Sequence, residues 1–206
     1  VAYSPDGNNP MVSDTKVNVG AIKVTFDTNG GKWSDGTDTD KVVNAVGGTA
    51  TQPEEPTRDG YQFLGWASSA SATAAEANIL TNITDAKEVF AVWKDVKAPE
   101  ITTISDQTVV EGNPIGEITV TTDYPNATIT VKDLPNGVTY DPTTKKISGT
   151  PTVTDWTSTE ETREFTVTVE AKDEAGNTST KTFKITVQRD TDGDGTPDVT
   201  DTDDDG

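Results

Sequence analysis

Glu164-Phe-Thr-Val-Thr-Val-Glu-Ala-Lys172 alternates strictly: Phe165, Val167, Val169 and Ala171 fall on one side, Thr166, Thr168, Glu170 and Lys172 on the other. A period of two is the side-chain period of a strand, and a strand apolar on one face only has to bury that face against another layer. Residues 182–188 repeat the pattern with Phe183, Ile185 and Val187. Between these segments Asp173-Glu-Ala-Gly-Asn177 supplies turn chemistry, with Gly176 free to take a positive φ. Two such strands predict a core held between two sheets, a β-sandwich.

Working outward, short apolar runs separated by turn residues recur at 101–104, 107–110, 115–122, 127–132 and 146–149, as a sandwich requires. Lys94 to Pro99 changes the texture, and Ala98-Pro99 reads as an extended joint between β-domains, so a boundary is expected near 96. Before it, Ile22, Val24 and Phe26 alternate with Lys23, Thr25 and Asp27, and Asn29-Gly30-Gly31 offers the positive φ angles of a tight turn. Further strands are expected at 41–46, 61–66 and 88–93, and a short Ala-rich helix at 71–78. The expected organisation is a polar lead-in at 1–19, a first domain at 20–95, a sandwich at 96–189 and an acidic segment at 190–206.

Composition excludes several functions. With 35 acidic against 16 basic residues the formal charge is −19, eight of the acids lying in residues 190–206, so phosphate neutralisation on nucleic acid and binding to an anionic membrane surface are disfavoured. There is no Cys and no His, which removes disulfides, thiol catalysis, histidine bases and zinc sites of ordinary ligand type. No apolar run is long enough to span a bilayer, and residues 1–20 lack the pattern of a signal peptide, so the chain is expected to be a fragment of a larger protein. No nucleophile motif, phosphate loop or metalloprotease pattern occurs, and no enzyme activity is expected.

The acidic segment carries the one spacing with specific chemistry. Ca²⁺ takes six to eight hard oxygen ligands, and an EF-hand-type loop supplies them from positions 1, 3, 5, 7, 9 and 12. Here those positions are Asp190, Asp192, Asp194, the Thr196 carbonyl, Asp198 and Asp201, with Gly195 at the sharp turn of position 6. The register restarts at Asp201, Asp203 and Asp205. Asp201 stands where an EF-hand has Glu, and no helical pattern flanks the loop, so this is not an EF-hand pair. The plainer alternative is a solvated acidic linker. In the sandwich, Trp156, Tyr140 and Tyr124 fall in expected loops and are the candidates for ligand contact, against the alternative that they pack. Trp66 and Trp93, at the ends of apolar strands, are expected in a core with their N–H groups satisfied, against the alternative that they are sugar-stacking platforms.

Three resemblances add to this reading. Val24-Thr-Phe-Asp27 with Asn29-Gly-Gly31, then Pro56-Thr-Arg-Asp-Gly-Tyr-Gln-Phe-Leu-Gly-Trp66 and Val89-Phe-Ala-Val-Trp-Lys94, resemble the Listeria-Bacteroides repeat, or B-repeat, of bacterial surface proteins. That likeness implies a small β-grasp-like sheet with a short helix, used as a spacer or interaction module. Leu134-Pro-Asn-Gly-Val138, Ile147-Ser-Gly-Thr-Pro151 and Ala171-Lys-Asp-Glu-Ala-Gly-Asn177 resemble bacterial Ig-like domains related to cadherin and dystroglycan domains, with an insertion at 153–162. The tandem aspartate register is similar to the thrombospondin type 3 repeat. The resemblances together imply a non-catalytic segment of a bacterial cell-surface adhesin, extracellular and wall-anchored through regions outside this chain. It would act as stalk or spacer, with neighbouring domains and a host glycan or matrix protein as partners. The alternatives are a lectin-like module in the Ig-like domain and an accessory region of a secreted glycosidase.

Overall fold

The computed structural model describes residues 21–202. The lead-in at 1–19 and Asp203 and Asp205 lie outside the described residues. The chain divides into two compact units, Val1–Val96 and Lys97–Gly206, and the fold class is mainly β throughout.

The first unit holds one sheet built from β1 (Ile22–Asp27), β2 (Lys41–Ala45), β3 (Tyr61–Ala67) and β4 (Lys87–Asp95). Their order is β2-β1-β4-β3, with β1 and β4 parallel at the centre and both outer pairs antiparallel, a β-grasp-like order. Alternation puts Val24, Phe26, Val89 and Ala91 fully inside. After β1 the chain turns through Asn29 and Gly30, at φ 49° and 97°. Gly31 then passes so close beneath Trp93 that a Cβ there would sit 2.3 Å from the ring and 2.8 Å from the Thr57 carbonyl. A register shift between Phe63 and Gly65 re-aims β3 so that Trp66 points into the core.

The helix expected at 71–78 does not form, and no helix occurs among the described residues. Residues 71–80 are a succession of turns, closed by bonds such as Ile79 N–H to the Glu76 carbonyl at 3.2 Å. The physical reason is twofold. Two turns are too short to repay helix nucleation without an apolar stripe. Glu76 is also committed elsewhere: its carboxylate accepts from the Ser68 amide at 2.6 Å and its N–H donates to the Trp66 carbonyl at 2.9 Å.

The second unit is a two-sheet sandwich. Its strands are β5 (Gln107–Val110), β6 (Ile118–Thr119), β7 (Thr128–Lys132), β8 (Val138–Asp141), β9 (Lys146–Gly149), β10 (Thr162–Lys172) and β11 (Thr178–Gln188). One sheet runs β5-β11-β10-β7 and the other β6-β9-β8. The inner faces bring together Val167, Val169, Ala171, Phe183, Ile185 and Val187 from the first sheet with Ile118, Val138 and Ile147 from the second. Residues 101–104 make only a bridge from Ile101 to Thr122, and 115–122 shrinks to the two residues of β6. β8 lies outside the strands expected from sequence; it forms because Gly137, at φ 89°, lets the backbone approach the Thr150 carbonyl more closely than any side chain would allow and pair with β9.

Candidate functional site

The acidic segment leaves β11 at Arg189 and folds back on itself. Asp190 organises the first turn: its two carboxylate oxygens accept from the Gly193 and Gly195 amides at 3.0 and 2.9 Å. Gly193 and Gly195 take φ 73° and 90°, conformations for which glycine carries no steric penalty. Asp192 and Asp194 each accept from the amide two residues on, at 3.1 and 2.7 Å. As a result one carboxylate oxygen each of Asp190, Asp192 and Asp194 lies within 4.8 Å of the others. The neighbouring Asp194 amide favours ionised Asp192, but desolvation among the clustered carboxylates, the charges of Asp194 and Asp201 and the contact with Asp190 prevail and raise the Asp192 carboxyl above its usual range. Three converging carboxylates form a hard donor set of the kind Ca²⁺ takes.

Asp198 is turned away from that cluster. Its side chain, 6% exposed, accepts from the Thr191 amide at 2.7 Å and from the Thr191 hydroxyl, and pairs with Arg189 at 4.0 Å. Burial pushes its carboxyl up, but the Thr191 hydrogen bonds and the Arg189 charge hold it below the usual range. The Thr196 amide is spent on Asp194, and Asp201 closes a single turn by donating to the Pro197 carbonyl at 3.0 Å.

The insertion at 153–162 is tied to the root of this segment. Arg189 donates to the Thr157 carbonyl at 2.9 Å, and its own amide donates to the Glu161 carbonyl at 2.8 Å. Trp156, half-buried against the sandwich core, gives its indole N–H to Glu111 at 2.9 Å and has the guanidiniums of Arg163 and Arg189 at 5.5 and 5.6 Å from its ring. Arg163 also holds Glu160 in an ion pair at 2.6 Å, and its hydrogen bonds, with that of the Thr157 amide, lower the Glu160 carboxyl to about 2. Tyr140 and Tyr124 are likewise half-buried and packed against the core. Burial, with the nearby Asp141 charge, raises the Tyr140 hydroxyl above its usual range.

A second acidic cluster escaped sequence reasoning because its members are far apart in the chain. Asp27, Asp40 and Glu88 bring carboxylate oxygens within 4.8 Å of one another. Only the pairing of β1 with both β2 and β4 reveals it. Burial and the Asp27 charge raise the Asp40 carboxyl. The Asp173 to Asn177 hairpin is an ordinary capped turn: Asp173 accepts from the Asn177 amide at 2.8 Å and its side-chain amide at 3.0 Å. Lys146 and Lys184 face outward into ion pairs with Glu117 and Glu164.

In the first unit the tryptophans are interior. Trp66 is 4% exposed and gives its N–H to Gln52 at 2.6 Å, and Trp93, half-buried, donates to the Thr28 carbonyl at 3.0 Å. No helix among the described residues is long and apolar enough to cross a membrane.

The family models that match the chain agree with this architecture. Residues 23–93 match the family model of the Listeria-Bacteroides repeat domain, and residues 98–188 match the family described as "Putative Ig domain". The serine-rich adhesin for platelets of Staphylococcus aureus strain MRSA252 is 37% identical over 135 residues, 64% of this chain and 9% of the relative. Its counterpart in strain N315 is 36% identical over 135 residues, 64% of this chain and 6% of the relative. The chain thus spans less than a tenth of these relatives. Among crystal structures, the SrpA adhesin of Streptococcus sanguinis has a TM-score of 0.38 at 22% identity, covering 48% of this chain and 62% of that one. A "putative alpha-galactosidase" of Bacteroides fragilis has a TM-score of 0.35 at 23% identity, covering 43% and 17%. Drosophila N-cadherin has a TM-score of 0.34 at 15% identity, covering 50% and 27%. With the β-grasp-like order of the first sheet and the two-sheet core of the second unit, residues 23–93 are a Listeria-Bacteroides repeat domain and residues 98–188 an Ig-like domain of the family they match.

Proposed function

We propose that this chain is a non-catalytic segment of a bacterial surface adhesin, extracellular, in which the two β-domains act as a spacer and residues 190–206 as a calcium-binding linker. The observation that carries the reading is the 37% identity, over 135 residues, to a protein named as an adhesin for platelets. The indole N–H groups of Trp33, Trp66 and Trp156, each committed to a partner within its own unit, support a structural role. Trp156, Tyr140 and Tyr124 enter the proposal as packing residues. The ligand, a host glycan or a matrix protein, is then reached by neighbouring domains that this segment holds at a distance.

Calcium has a defined place in the reading. Asp190, Asp192 and Asp194 would hold the ion, Asp201 stands close enough to act on the charge of Asp192, and the ion would neutralise carboxylates that otherwise repel. A second loop through Asp203 and Asp205, similar to a thrombospondin type 3 repeat, belongs to the same proposal. The test is a glycan and matrix binding screen of the whole chain, run with calcium and with chelator. Absence of direct binding together with slower amide exchange at 190–202 in calcium is the expected result. Reproducible binding to one ligand class would replace the spacer by a recognition module, and equal exchange in both conditions would remove calcium.

A further inference from the structure

In each unit the first and last of its strands among the described residues lie side by side and run in the same direction. β1 pairs with β4 in parallel from Val24 and Lys87 to Asp27 and Phe90. β5 pairs with β11 in parallel from Gln107 and Ile185 to Val110 and Gln188. Where the entering and leaving strands form a parallel pair, the chain comes in at one end of the pair and goes out at the other. A pull on the two ends of such a unit therefore acts along the strands and loads every bond between them at once. An antiparallel hairpin pulled from its open end breaks one pair at a time.

The second unit extends this lane on both sides of the ladder. The Ser179 hydroxyl donates to the Pro99 carbonyl, Lys181 Nζ to the Thr103 hydroxyl at 3.2 Å, the Lys184 amide to the Asp106 carboxylate at 2.9 Å, and the Glu111 amide to the Gln188 carbonyl at 2.8 Å. Sliding is opposed by the core as well. Val24, Phe26 and Val89 in one unit and Ile185 and Val187 in the other are fully buried, and slipping by one residue would turn that apolar face to water.

We propose that each unit is a tension-bearing shear clamp whose load path is its terminal-strand pair. This deepens the spacer reading, and rests on it only for the use the cell makes of the clamp. The whole chain, held by its two ends in single-molecule force spectroscopy, unfolds in two discrete events. Each event requires a several-fold higher force than opening the β10–β11 hairpin at the same loading rate. That reference geometry is set by the double substitution Thr162→Cys and Gln188→Cys, two positions paired at the open end of the hairpin in a chain without native cysteine. Asp106→Ala, which removes the acceptor of the Lys184 amide but no core atom, lowers the force of one event and leaves the other and the hairpin opening unchanged. End-to-end rupture at a force equal to or below that of hairpin opening, or gradual extension without discrete events, would overturn the clamp. So would an Asp106→Ala chain whose two rupture forces match the parent. High forces alongside a recognition result in the binding screen would remove the spacer reading and keep the clamp, so the two fail separately.

Discussion

The two units fill their interiors by different means. The sandwich has two sheets facing each other, and side chains as small as Val167, Val169 and Ala171 close the space between them. Among the described residues the β-grasp-like unit has one sheet and no helix to lay over it, so bulk comes from rings: Trp66 meets Phe26 edge-on at 4.8 Å, Phe63 at 5.3 Å and Trp33 at 6.2 Å. Each indole brings an N–H that has to be satisfied. Trp33 donates to the Thr39 carbonyl at 2.7 Å, Trp66 to Gln52 and Trp93 to Thr28, so the loops of this unit are fastened by its own core. Where a second layer is missing, large amphipathic side chains supply both the packing and the loop anchors.

The strongest test of that contrast is to remove one ring. Trp66→Ala should cost about 3–5 kcal/mol, in the range of buried aromatic truncations, and release the first unit alone when urea unfolding is followed by hydrogen exchange assigned to each unit. Ile147→Ala in the sandwich should cost about 2–5 kcal/mol and release the second unit alone, and loss of amide protection in both units on either substitution would erase the distinction between them. Gly31→Ala adds only a methyl group, yet it must displace Trp93, and a loss of about 1–3 kcal/mol from overpacking is expected in the first unit's denaturation midpoint. Asp173→Ala removes the acceptor that closes the β10–β11 turn and should cost about 1 kcal/mol, read in the second unit only.

Acid gives the smallest and most local effect. Glu160 has its carboxyl lowered to about 2 from 4.5, so its contribution is complete above pH 4.5 and is lost as pH falls from there towards 2. The insertion at 153–162 should loosen in that window, seen as loss of the Arg163 side-chain signals in NMR, while strands β10 and β11 keep their amide protection.

Much of this architecture can be read from residues. The alternation of Phe165 to Ala171 and of Phe183 to Val187 marks strands because each apolar face is continuous, and the structure buries those faces. β8 was not legible, since its pairing depends on Gly137 and Gly149 approaching backbone carbonyls, a contact between segments that leaves no periodic trace. The helix expected at 71–78 failed for the opposite reason: Ala-rich composition is a local preference, and Glu76 is claimed by tertiary bonds to Ser68 and Trp66. At the acidic segment the spacing placed Asp190, Asp192 and Asp194 together. It did not foresee that Asp198 would turn to Thr191 and Arg189, because the partner is a cation before the motif begins.

Trp156 is the one tryptophan in residues 97–206, and its ring lies near Arg189, which in turn reaches Asp198. That makes the insertion an optical gauge. Indole emission colour follows the charges around the ring, so a rearrangement of residues 190–198 that moves Arg189 shifts the fluorescence of Trp156. The sandwich thereby carries a native dye at the root of the chain that leaves it, readable as a change superposed on the emission of Trp33, Trp66 and Trp93.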